Sequence, residues 1–203
     1  MDWSKIKTKA RELARPNLWN YWKLMIYIIV ITFIISFFVG LMPIRYEIST
    51  FISSLLGQLA TAPLCVGLYW CLLCIVRNGE YVLSDFFKYF KYCWFILLLQ
   101  LIVSIFTWVG LALLIVPGII IALGCSMIFY IFADGESKPM ECIRKSMLLM
   151  KGYKWDYFVF SLTFLGWFIL SILTLGILLI WVIPYYQLSI TIYYDELVKS
   201  AEN

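Results

Sequence analysis

Two stretches constrain this chain more than any other feature. Phe95 to Ala133, 39 residues, and Tyr157 to Tyr194, 38 residues, contain no Asp, Glu, Lys or Arg. As a single helix either would be about 57 Å long, against a bilayer hydrocarbon core of about 30 Å. Two antiparallel spans of about 18 residues fit that core, so each run reads as a transmembrane hairpin. The charged stretch between them, Ala133 to Trp155, then lies on one membrane face and ties the hairpins together.

Composition supports this. The chain is 64% hydrophobic and 14% charged, too little polar surface to cover a soluble domain of this size. The runs are apolar on every side rather than alternating, which favours helices over a β-barrel. The net charge of +4 comes from basic residues in short loops. Topology explains it without a nucleic-acid partner.

In chain order, residues 1–23 are basic and aromatic. Trp3, Ile6, Ala10 and Leu13 share one helical face, with Lys5, Lys7, Lys9, Arg11 and Glu12 around it. This predicts an interfacial helix lying among lipid headgroups and broken at Pro16. It serves either as an anionic-lipid site or simply as a topology anchor. Residues 24–76 form hairpin 1, with a first span from Leu24 ending near Gly40 and Pro43, a loop carrying Arg45 and Glu47, and a bend at Pro63. Residues 77–133 hold a linker helix and hairpin 2, its tip at Thr107 to Gly110 and a kink at Pro117-Gly118. Residues 134–203 hold an amphipathic helix, hairpin 3 turning at Thr174 to Gly176 and bent at Pro184, and a polar tail. The expected fold is all-α: a polytopic membrane helix bundle, one transmembrane domain over 1–203, with six transmembrane helices in three hairpins and interfacial amphipathic helices. This count puts fifteen of the sixteen Lys and Arg on one side, with only Arg45 opposite. By the positive-inside rule both termini are cytoplasmic.

A three-fold repeat of roughly 65 residues is one reading of the aromatic-basic elements Tyr21-Trp22-Lys23, Lys91-Tyr92-Cys93-Trp94 and Tyr153-Lys154-Trp155. The other is the ordinary preference of Trp, Tyr and Lys for interfaces. In the central stretch, Ser137 is a candidate cap and Pro139 suits a first helical turn. Met140, Ile143, Met147 and Met150 form an apolar stripe, and Glu141 precedes Arg144 and Lys145 at pairing distance. Gly152 is the natural stop. This amphipathic helix, flanked by Lys151, Lys154 and Trp155, either lies on the inner leaflet or presents an adaptable Met surface to a partner.

Reactive constellations are few. The chain has no His, so His-based triads and His-containing zinc sites are excluded. Carboxylates fall in loops and at span ends, leaving no buried proton relay in view. Cys71 and Cys74 form a C-x-x-C inside an apolar span, where a reactive thiolate is disfavoured and packing explains them better. There is no glycine-rich phosphate loop. Gln58, Gln100 and Gln187 are the most polar side chains expected within spans. They suit interhelical hydrogen bonds or the lining of a path. No cofactor, metal or catalytic residue is expected.

Met150-Lys151-Gly152-Tyr153-Lys154-Trp155, Phe164-Leu165-Gly166-Trp167 and Trp181-Val182-Ile183-Pro184-Tyr185 together resemble a bacterial integral-membrane family catalogued as domain of unknown function 975. Ile115-Val116-Pro117-Gly118-Ile119, Tyr130, Ala133-Asp134 and Ser146 fit the same pattern, and Asn20-Tyr21-Trp22-Lys23 is similar to its entry. The resemblance implies a bacterial inner-membrane protein and supplies no catalytic residues. The expected function is that of a non-enzymatic membrane-embedded interaction or accessory protein in the bacterial plasma membrane. A small transporter, channel or lipid-moving protein is the alternative. The partners are the lipid bilayer and either another membrane protein or a second copy of the chain.

This topology makes a direct prediction. In intact cells an impermeant thiol reagent should reach Glu47→Cys, while Gly79→Cys and Gly152→Cys should react only after the membrane is opened. The reverse pattern would overturn it.

Overall fold

Two very long helices dominate the computed structural model, which describes residues 2–41, 45–79, 81–113, 115–136 and 138–202. The first, α1 (Trp3–Gly40), begins where the Asp2 carboxylate accepts the Lys5 amide at 3.4 Å. It runs straight through Pro16, so the expected break is absent. An interior proline removes one backbone hydrogen bond and crowds the preceding turn. Here the lost partner is that of the Glu12 carbonyl, on the exposed side of α1, and packing on both sides of the proline holds the helix together. Ile6, Ala10 and Ala14 are buried, as are Tyr21 and Leu24.

That burial corrects a second expectation. The apolar face of residues 3–14 packs against protein rather than lipid. Trp3 Nε1 donates to the Asp156 carboxylate at 3.1 and 3.2 Å, and its ring meets Phe160 edge-on. An amphipathic stripe suits a helix neighbour as well as a headgroup layer. A buried alanine pair and a paired indole decide for the neighbour. The first span's expected end at Gly40 coincides with the end of α1, while Pro43 lies outside the described residues.

The second long helix, α2 (Tyr46–Asn78), contains Pro63 and ends at Gly79, which donates its N–H to the Ile75 carbonyl at 3.1 Å and turns the chain out of the helix with φ +80°. It packs against α1 and, through Gly67, against α3 (Leu83–Phe87). A Cβ at Gly67 would overlap the Phe86 carbonyl. A 3₁₀ turn, Lys88–Tyr92, leads into α4 (Cys93–Leu113).

α4 pairs closely with α5 (Ile115–Cys125). Thr107 to Gly110, expected as the hairpin tip, lies inside α4. Thr107 Oγ1 bonds the Val103 carbonyl at 2.8 Å, so the helix continues. Gly110 serves a different purpose, since a Cβ there would sit 2.9 Å from the Gly118 Cα. Pro117-Gly118 falls in the opening turn of α5 rather than at a mid-helix kink. A proline is tolerated there because the first helical amides have no intrahelical acceptor.

α6 (Ile128–Ala133), α7 (Pro139–Leu149), α8 (Lys154–Leu162), α9 (Leu165–Leu173) and α10 (Leu179–Glu202) complete the chain. α7 starts after Lys138, with Pro139 in its first turn, and Ser137 lies outside the described residues. Gly152 has φ +88°, and the turn between α9 and α10 contains Leu175 at +51° and Gly176 at +85°. Both turns sit where the glycines predict them. α10 packs along α1 and α2. The core gathers the first half of α1, the second half of α2, α6, α8 and α10, and its largest fully buried side chains include Tyr21, Tyr193, Phe86, Phe132 and Phe160. No strand occurs among the described residues. Among the described residues, four helical segments, Trp3–Gly40, Tyr46–Asn78, Leu83–Trp108 and Lys154–Leu173, are long and apolar enough to cross a membrane.

The contrast between two α2 glycines is testable. Gly67→Ala must displace the α3 backbone and should lower stability by about 1–3 kcal/mol, the usual cost of overpacking. Gly57→Ala meets nothing within 4 Å and should be nearly neutral. Thermal unfolding of both variants in detergent micelles compares them directly.

Candidate functional site

Arg77, next to last in α2 and placed by the Gly79 cap, makes three side-chain hydrogen bonds to two other helical segments. A cation suits this position, where helix carbonyls concentrate negative potential. Its guanidinium clasps Asp134 with both terminal nitrogens, Nη1 at 2.6 Å and Nη2 at 3.0 Å, and Nε donates to Asp195 at 2.9 Å. Asp134 caps the C-terminus of α6, an unfavourable place for an anion without such a partner. Tyr194 donates its hydroxyl to Asp134 at 3.1 Å. Lys199, one turn further along α10, pairs with Asp195 at 2.7 Å. The seam thus joins α2, α6 and α10, whose participating residues are separated by 57 and 118 positions in sequence.

Its electrostatics are nearly self-cancelling, two carboxylates against a guanidinium and an ammonium. The Asp195 side chain is only 6% exposed. Burial pushes its carboxyl up, yet the hydrogen bonds from Lys199 and Arg77 outweigh burial and hold it below the ordinary value. Hydrogen bonding to Asp134 and Asp195 raises Arg77 against the opposing effect of its partial burial. Both carboxylates are therefore acceptors in a clamp. An open cavity of about 510 Å³ beside the seam is lined by Lys9, Val76, Arg77, Asp134, Asp195 and Lys199. A second, of about 410 Å³, has Ile131, Leu148, Leu149 and Val198 among its walls and the Glu136–Lys145 pair, 2.6 Å apart, at its edge. Among the described residues no three His, Cys, Asp or Glu come together as a metal-holding group.

A smaller node lies at Asp156, where Trp3 and Tyr193 both donate, the tyrosine at 2.9 Å. It pins the start of α1 to α8 and α10.

The sequence-derived candidates are placed differently. Met140 and Met147 are exposed, Ile143 is half-buried and Met150 is fully buried. α7 is turned so that Cys142, Ser146 and Met150 face inward instead of the methionine stripe as a whole. The cause is polar. Ser146 Oγ donates to the Gly124 carbonyl at 2.7 Å and Cys142 Sγ to the Glu136 carbonyl at 3.3 Å, so two small hydrogen-bonding residues claim the inner face. Lys151 and Trp155 are exposed and Lys154 is half-buried. Of the expected surface pairs, Arg144 meets Glu141 at 2.6 Å, whereas Lys145 turns to Glu136. Gln100 Nε2 donates to Gln58 Oε1 at 3.1 Å between α4 and α2, while Gln187 sits half-buried on α10. All six cysteines, Cys71 and Cys74 included, are free thiols.

Sequence reasoning passed over Arg77, Asp134 and Asp195, although one signal marked them. Each is the first charged residue after an uncharged run: Ile48 to Val76, Phe95 to Ala133 and Tyr157 to Tyr194. Three apolar runs therefore end at one ionic cluster.

A family described as a protein of unknown function (DUF975) has a model that matches residues 107–201. The match includes Asp134, Asp156 and Asp195 and stops short of Arg77. No curated protein and no solved structure matches the chain.

Removing Arg77 should leave the buried Asp195 with Lys199 alone and Asp134 with only the Tyr194 hydroxyl. Arg77→Ala should cost about 2 kcal/mol, below the roughly 3–5 kcal/mol of a fully buried pair, because the guanidinium is 33% exposed. Arg77→Lys should recover only part, since a lysine lacks the fork that holds both carboxylates. The pH dependence has a definite sign. Asp195 has a folded pKa below its unfolded value, so its contribution is complete at neutral pH. It fades only as pH falls below the ordinary carboxylate value of about 3.9. Unfolding of wild type and Arg77→Ala in nanodiscs between neutral and acid pH checks both statements.

Proposed function

We propose that this chain is a multi-pass membrane protein of the bacterial plasma membrane that acts as a non-enzymatic interaction or accessory protein, with both termini in the cytoplasm. Fifteen of the sixteen basic residues support that orientation. The hairpins at 24–76 and 95–133 are the crossings it requires. The observation that carries the reading is the ionic seam. Its charged groups are engaged with one another in a near-neutral clamp on a filled aromatic core, an arrangement suited to holding a scaffold rather than to turnover. α7 then presents Met140, Met147 and Leu148 outward beside Arg144 and Lys151, an adaptable apolar surface with basic flanks.

The alternative, a small transporter or lipid-moving protein, is favoured by a different observation. An open groove of about 600 Å³ between α1 and α2 is lined by Thr32, Ser36, Ser49, Ser53, Gln58 and Thr61. Hydroxyls in apolar helices serve either a polar path or helix association.

The experiment that separates the two is purification in nanodiscs from native membranes, wild type beside a Met140→Glu/Met147→Glu variant, with mass spectrometry of proteins and lipids. The accessory reading expects a protein recovered in stoichiometric amount with wild type and at least tenfold less with the variant. Identical recovery from both would reject the α7 surface. Enrichment of a lipid alone would move the reading to the alternative.

A further inference from the structure

The structure contains a conflict between α1 and the third uncharged run. α1 is one continuous helix, and its charged first half lies along that run. Trp3 bonds Asp156 at the entrance to α8. The Lys7 ammonium stands 5.9 Å from the Phe160 ring and 5.3 Å from the Phe164 ring. Trp22 Nε1 donates to the Ile180 carbonyl at the start of α10 at 2.9 Å. From Trp3 to Trp22, a rise of about 28 Å, α1 therefore covers the hairpin from Asp156 up to Ile180, short of its tip.

Over that height α1 exposes Lys5, Arg11, Glu12 and Arg15, with Lys23 just beyond. A bilayer placed so that α8–α9 and α10 cross it would submerge this row, with Arg11, Glu12 and Arg15 near mid-depth. Charged residues are the most unfavourable side chains there. Raising the bilayer to begin near Trp22 and Lys23 removes the conflict. It then encloses the uncharged stretch of α1 from Leu24 to Gly40 and receives only the tip of the hairpin.

The tip is built for that position. Ile172 and Leu173 are each 75% exposed, Leu175 93% and Ile177 72%, whereas no large apolar side chain from Trp181 to Leu197 on α10 is exposed. The connection at Arg45 to Glu47 in the first hairpin is charged, but the one between α9 and α10 has no charge. Its backbone is also closed on itself. The amide of Gly176 donates to Ser171 O at 2.8 Å, that of Ile177 to Thr174 O and that of Leu179 to Gly176 O, while Leu178 uses the Thr174 hydroxyl. With these amides bonded within the turn, fewer backbone groups are left to face the acyl chains. Near the same level Lys23 lies over the Trp19 ring at 5.9 Å, an aromatic-basic pairing suited to the headgroup layer.

We infer that the third run does not cross the membrane. Residues 172–180 form a re-entrant wedge that dips into the acyl region of the inner leaflet and returns, with α10 from Trp181 onward packed inside the protein on the cytoplasmic side. The chain then has four full crossings, which keeps both termini on the same face. This inference rests on the proposed cytoplasmic placement of the termini.

Ile177→Cys and Glu47→Cys, each against the unsubstituted chain, provide the test. In intact cells an impermeant maleimide should label Glu47→Cys and leave Ile177→Cys at background. In proteoliposomes a bimane on Ile177→Cys should be quenched at least twofold by lipids carrying a nitroxide on the acyl chain, and one on Glu47→Cys should not. Labelling of Ile177→Cys in intact cells as strong as that of Glu47→Cys would restore a full crossing and overturn the inference. So would an unquenched bimane. If Gly152→Cys labels in intact cells and Glu47→Cys does not, the orientation has failed instead, and the two failures are distinct.

Discussion

The Arg77 guanidinium is the contact on which the rest of the arrangement depends. By gripping Asp134 with one edge and Asp195 with Nε, it fixes the end of α2 against the ends of two other apolar segments. Hydrophobic burial could not specify this alone, because it is non-directional and follows the area buried rather than the partner. A three-way ionic contact has direction and register. A guanidinium suits it because its planar fork serves two carboxylates at once.

With α10 fixed at Asp195, its upstream residues are aligned against α1 and the core fills around them. Tyr193 stacks on Phe160, and Phe160 meets Phe164 edge-on. Asp156 ties Trp3 and Tyr193 into the same register. The charged half of α1 is thereby held beside the third hairpin. The proposed level of the bilayer follows from that juxtaposition together with the exposed apolar tip of the hairpin. Hydropathy alone treats residues 154–173 as a span. The neighbouring charges make the difference.

What was legible in the sequence was local. Helical content follows from uncharged runs that cannot satisfy their backbones any other way in lipid. The turns at Gly152 and Gly176 follow from glycines that adopt positive φ. What was not legible depended on neighbours. Pro16 reads as a break until Ala10, Ala14 and Tyr21 are seen buried on either side of it. Gly110 reads as a turn until Gly118 is found against it. The methionines of α7 read as its inner face, because a hydropathy pattern cannot know that Gly124 offers Ser146 a carbonyl. The ionic seam was hidden for a related reason. Each member is an ordinary loop charge in sequence, and only the fold brings the ends of three runs to one place.

The central claim is that Arg77 and Asp195 act as one unit across the α2–α10 contact, and a double-mutant cycle measures this most directly. Unfolding of wild type, Arg77→Ala, Asp195→Ala and the double variant, in the same nanodiscs at neutral pH, gives the coupling between the two side chains. The expected coupling is at least about 1 kcal/mol, within the range for residues sharing an ionic network, with the double variant less damaged than the two single losses added together. Additive losses within about 0.3 kcal/mol would mean that the contact carries no energy of its own and that helix packing alone sets the register.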